Sequence, residues 1–127
     1  KIMLRLGAAY YLIGAVTHYF GLSLFPFYEA KLFSPYHDFL LAFVGITFGL
    51  LLLTIANDPV KNRDTLKTVI FCILMASLAS IAVIWKIDFA ALGAPAKKLE
   101  TIIEGIAGLV YGGVLSFFRP PRGGEAD

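Results

Sequence analysis

Two ionisable side chains, His18 and Glu104, stand inside otherwise apolar runs of this 127-residue chain. An imidazole and a carboxylic acid are the side chains that most readily pass a proton near neutral pH when their surroundings tune them. In hydrocarbon such groups are costly, roughly 2.5–3.5 kcal/mol for a charge on the insertion scale, so they are expected to face other helices or a wet cavity. Helical spacing agrees: His18 lies four residues after Gly14 and three before Gly21, and Glu104 lies four before Gly108 and eight before Gly112. Counted at 1.5 Å per residue, each falls about 5–9 Å below one and the same membrane surface. We therefore expect a His18–Glu104 contact acting as an acid–base pair, suited to isomerisation of, or proton transfer on, a lipophilic substrate, or to proton-coupled transport. His37 and Asp38 would form its rim, with Tyr36, Tyr111 and Trp85 as further ligand contacts.

Other chemistries find less support. His18, His37, Asp38 and Glu104 are the only set that could converge on a metal, and no His-x-x-x-His or Cys-x-x-Cys spacing backs it. His18 and His37 differ in depth by about 6–9 Å, which argues against a bis-histidine haem. Every glycine series lies inside an apolar helix rather than in a phosphate-binding loop, so no nucleotide or other cofactor is expected. The lone Cys72 rules out an internal disulfide, and a net charge of +2 does not suggest nucleic acid.

These residues have to be positioned by elements that live in lipid. The composition is 58% hydrophobic and 16% charged, with mean hydropathy +0.77, more apolar surface than one small soluble core can hide. Four runs approach the roughly 20 apolar residues that span a bilayer as helix: Ile2–Leu24, Phe39–Ala56, Thr65–Ile87 and Leu99–Phe118. With their caps they predict helices over about 2–24, 36–56, 59–87 and 95–118 and a flexible tail over 119–127, all in one domain. The fold expected is an all-α, integral-membrane, four-helix antiparallel bundle. Its first run is too long for a cleavable signal peptide and lacks a small-x-small site. Because the chain starts at Lys1 rather than Met, a few preceding residues are expected.

Flanking charges orient the bundle. Seven lysines and arginines fall on the side of the termini and four on the other, which favours both termini in the cytosol. Small residues supply the expected packing seams: Gly7, Gly14 and Gly21; Ala42, Gly45 and Gly49; Cys72, Ala76 and Ser80; Gly105, Gly108 and Gly112. Between the first two helices the stretch FPFYEAKLFSPYHDF, Phe25–Phe39, forms an aromatic, Pro-containing interfacial connector longer than a bundle needs. It either covers a cavity mouth or rests at headgroup depth.

Two functions follow from this reading. In the first, a small polytopic membrane protein binds, and transforms or moves, a lipophilic molecule in a polar-based pocket open to the non-cytosolic leaflet. In the second, it is an accessory or assembly subunit that docks to a partner subunit or a second copy through its glycine seams, and the His–Glu pair is structural. Membrane lipids are expected neighbours in both.

Overall fold

A computed structural model describes residues 1–24 and 34–121. The described residues form four helices: α1 (Ile2–Phe20), α2 (Pro35–Asn57), α3 (Arg63–Val83) and α4 (Lys97–Phe117). Three of them, α2, α3 and α4, are long and apolar enough to cross a membrane, which supports a membrane protein. α1 is not among these three: its 19 residues include Arg5, Thr17 and His18. The aromatic connector expected between α1 and α2 falls largely on residues 25–33, and the expected flexible tail largely on 122–127; both lie outside the described residues.

Local chemistry sets the helix ends. α1 stops four residues before the predicted Leu24 because Gly21 adopts the left-handed conformation (φ 61°, ψ 36°). The Gly21 and Leu22 N–H groups then donate to the His18 and Thr17 carbonyls, closing the last turn. Gly21 is thus a cap and not part of a packing seam. α2 starts at Pro35, whose fixed φ suits the first helical turn. α3 begins at Arg63 rather than at Pro59, because the Asp58 carboxylate accepts the Lys61 N–H at 3.0 Å and holds a separate turn ahead of the helix. Past Val83 the chain continues in turns, and Asp88 accepts the Ala90 and Ala91 N–H groups at 3.0 and 3.1 Å, so the predicted extension to residue 87 is not helical.

α1 packs along α2, and α3 along α4. In the first pair, buried positions on α2 recur at alternating steps of four and three, Asp38, Ala42, Gly45, Gly49 and Leu52, and Leu4, Ala8 and Ala15 are buried on α1. A Cβ at Gly45 would stand 3.0 Å from the Tyr11 carbonyl oxygen and 3.1 Å from the Ala15 Cβ; at Gly49 it would meet Leu12 at 2.7 Å. In the second pair, Ile81 covers Gly105, Ser77 covers Gly108 and Leu74 covers Gly112. The seam of α3 therefore runs through Ile73 and Ser77, one step from the small residues expected to form it. Ala76 is exposed and Cys72 and Ser80 are half-buried. α4 supplies the glycines, so α3 must supply the side chains that fill them.

The two pairs meet at the end that holds both termini. Leu4 and Ala8, Leu52, Ile55 and Ala56, Leu66, Val69, Ile70 and Ile73, and Leu115 make one buried cluster there, drawn from all four helices. At the same end the Arg63 guanidinium donates through Nε to the Pro120 carbonyl at 2.7 Å, and the Tyr111 hydroxyl donates to the Met3 carbonyl at 3.0 Å. Tyr111 lies where a side chain on Gly7 would have to go.

The close approach at Gly45 yields a test. Gly45→Ile should cost about 1–3 kcal/mol, because backbone rather than a flexible side-chain tip must move. By contrast Gly113→Ala, where an added Cβ meets nothing within 4 Å, should be neutral or stabilising by up to about 1 kcal/mol. Unfolding of both variants in mixed micelles compares them; equal losses would contradict the packing described.

Candidate functional site

Asp38 is buried at 4% exposure in the first turn of α2. A carboxylate so placed needs its lone pairs occupied. Its Oδ1 lies 2.6 Å from His18 Nδ1 on α1, and its Oδ2 accepts the Ser34 N–H at 2.6 Å. The second contact satisfies one of the amide groups left open at the start of α2. Ser34 itself does not cap through its hydroxyl, which instead lies 3.0 Å from His37 Nδ1. An imidazole whose Nδ1–H is held by a carboxylate has its tautomer and ring orientation set, so proton exchange with any further group runs through Nε2.

Glu104 sits on α4 with a different partner. Lys97, in the first turn of that helix, places Nζ 3.5 Å from Glu104 Oε1 and 3.3 Å from Glu100 Oε2. The spacing of 97, 100 and 104 puts all three on one face of α4. Their side chains are only 16%, 20% and 29% exposed, so this is a partly desolvated cluster and not a surface ion pair. The expected direct His18–Glu104 contact is thus replaced, among the described residues, by two separate pairings: His18 with Asp38 and Glu104 with Lys97. The physical reason is reach. α2 starts level with the end of α1 and delivers Asp38 to the imidazole, while Lys97 lies two turns from Glu104 on the same helix.

The two groups nevertheless share a space. A cleft of about 200 Å³ is lined by His18, Glu104, Tyr10, Tyr11 and the α2 residues Leu41 and Val44. A second, of about 340 Å³, continues along α1 and α4 past Leu6, Gly7, Ile103, Ala107 and Tyr111. Tyr10 and Glu104 line both, at the junction. The result is a largely apolar groove between α1 and α4, with the acid where its two parts meet, His18 in the shorter part and the Tyr111–Met3 hydrogen bond beside the longer.

The remaining predicted contacts are distributed elsewhere. Tyr111 lines the longer cleft. Tyr36, 71% exposed, stacks edge-on against His37, which is itself exposed. Trp85, 84% exposed, belongs to a depression with Lys86 and Asp88, past the end of α3, and Lys98, in the first turn of α4. Tyr10, Tyr11 and Lys97 were missed by the sequence reading. The 97-100-104 spacing was the available signal for Lys97; nothing in the spacing of the tyrosines separates them from interfacial aromatics. No group of three or more potential metal ligands occurs among the described residues. Comparison with family models, curated proteins and solved structures finds no match.

A double-mutant cycle tests the Asp38–His18 contact. His18→Ala and Asp38→Ala should each destabilise the chain, while the double variant loses little more than the worse single one. The expected coupling is about 1–3 kcal/mol, as for a buried charge-assisted hydrogen bond. Additive losses in micelle unfolding would mean the two residues do not act together.

Proposed function

We propose that the protein is a small multi-pass membrane protein, an antiparallel bundle of four spans with both termini cytosolic, that binds a lipophilic molecule in the α1–α4 cleft and transforms or moves it. α1 acts as the fourth span, with Arg5 exposed at its cytosolic end and His18 turned onto Asp38. Long basic side chains near a helix end reach the headgroups along their own stems.

The observation that carries this reading is the cleft itself. Its walls are chiefly aliphatic and aromatic, while one acid and one oriented imidazole interrupt them, as in sites that hold an apolar body and act on one polar point. Its polar part lies near the ends of α1 and α4 away from the termini, which fits entry from the non-cytosolic leaflet. The end that holds the termini carries the shared hydrophobic cluster and, beside it, an apolar depression of about 540 Å³ along Leu4, Leu66, Leu115 and Phe118, lined by no acid or histidine among the described residues. A ligand held there would meet His18 and Glu104 together, with Asp38 fixing the imidazole and Lys97 holding the acid. Exposed Tyr36, His37 and Trp85 suit the membrane interface better than the cleft.

The accessory-subunit reading draws less support, because the glycines that would dock a partner are occupied within the chain. Gly45 and Gly49 receive α1, and Gly105, Gly108 and Gly112 receive α3.

Photolabelling in bilayers tests the cleft. With phosphatidylcholine carrying a diazirine midway along one acyl chain, label should concentrate on Leu6, Tyr10, Ile103 and Ala107. Ala107→Trp should lower it several-fold there while leaving Phe71, on the outer face of α3 and 63% exposed, labelled as before. Label spread equally over all exposed faces and unchanged by Ala107→Trp would overturn the reading.

A further inference from the structure

Charge at the cleft is negative on balance, because His18, the basic side chain in its lining, is already matched by the Asp38 carboxylate. Among the described residues lining its two parts, Glu104 is the carboxylate and no lysine or arginine appears. The nearby cation, Lys97, is shared between two acids, Glu100 at 3.3 Å and Glu104 at 3.5 Å, so one ammonium faces two carboxylates. The other carboxylate of this region, Asp38, is engaged by His18 and the Ser34 N–H, and brings no positive excess. An incompletely neutralised acid in a partly desolvated groove favours a proton or a cationic ligand and disfavours an anion. Beside Glu104 stands Tyr10, with Tyr11 next to it at 5.7 Å between ring centroids and nearly perpendicular. Faces of such rings attract cations.

We infer that the α1–α4 cleft is selective for lipophilic cations: compact apolar molecules carrying a single amine, quaternary ammonium or similar positive centre, seated with the charge between Glu104 and Tyr10 and the apolar body along Gly7, Ala107 and Tyr111. This rests on the cleft reading above and adds the sign of the ligand's charge. The longer part, of about 340 Å³, sits within the range of small-molecule sites. His18, held through Nδ1 by Asp38, lies in the shorter part on the far side of the junction, where it faces the positive centre rather than the apolar body.

Two organic ions of the same shape and opposite charge separate the possibilities. With the full chain in phospholipid nanodiscs, radiolabelled tetraphenylphosphonium should bind saturably and tetraphenylborate at least about tenfold more weakly. Glu104→Gln should weaken phosphonium binding by about tenfold or more, as removal of one partner of a desolvated charge pair does, and leave borate binding unchanged or stronger. Ala107→Phe, which fills the cleft without altering charge, should weaken phosphonium binding and shows that the ion sits there. If Glu104→Gln does not fold, the phosphonium–borate comparison on the unaltered chain decides the matter. Equal binding of the two ions, or undiminished phosphonium binding in a folded Glu104→Gln, overturns the cation assignment. Diazirine label concentrated in the cleft together with that result would leave the cleft reading standing; uniform label would remove both.

Discussion

A carboxylate buried between two apolar helices has few solutions, and Asp38 takes one that organises α1 against α2. Its two oxygens are occupied by the His18 ring and by the Ser34 N–H, one contact across the helix pair and one at the start of its own helix. Breaking either leaves a desolvated polar group without its partner, an outcome costly in water-poor surroundings. Once His18 and Asp38 are joined, Ala15 arrives at Gly45, and Ala8 and Leu12 arrive at Gly49. Close packing through glycine then does in lipid what burial of apolar surface does in water.

The second helix pair repeats that logic without a charge. Ser77 and Ile81 seat on Gly108 and Gly105, and the Ser77 hydroxyl donates back to the Ile73 carbonyl at 2.8 Å, so that buried hydroxyl is satisfied. The pairs are fastened to each other chiefly through the cluster around Leu4, Leu52, Ile70 and Leu115. Between α1 and α4 the cleft runs from the Tyr111–Met3 contact to the level of His18 and Glu104. An apolar depression of about 540 Å³ at the termini end has no acid or histidine in its lining among the described residues, whereas the cleft between α1 and α4 is interrupted by both.

Much of this was legible from residue types. The apolar runs predicted four helices, and the steps of three and four between Ala42, Gly45 and Gly49, and between Gly105, Gly108 and Gly112, marked two contact faces correctly. On α3 the same logic chose Cys72, Ala76 and Ser80, because a helix apolar all round has no polar face to orient it and small residues are not the only ones that make a seam. Which side chains share a space was more legible than which of them pair. His18 and Glu104 do border one space, yet depth along a helix could not reveal that Asp38 is buried rather than at the rim, since that depends on how far the start of α2 overlaps the end of α1. Lys97 stands at a helix end, where a lysine ordinarily meets headgroups, whereas its position three and seven residues before two acids turns it inward.

The central claim is that the imidazole of His18 is held by Asp38 at the border of a cleft it shares with Glu104. Solid-state NMR of the chain in lipid bilayers, with ¹⁵N in the histidine rings and ¹³C in the aspartate and glutamate carboxyl groups, measures this directly. The account predicts strong dipolar dephasing between His18 Nδ1 and the Asp38 carboxyl, lost in Asp38→Asn, and none of comparable strength to Glu104. A His18 ring coupled most strongly to Glu104, or to neither acid, would contradict it.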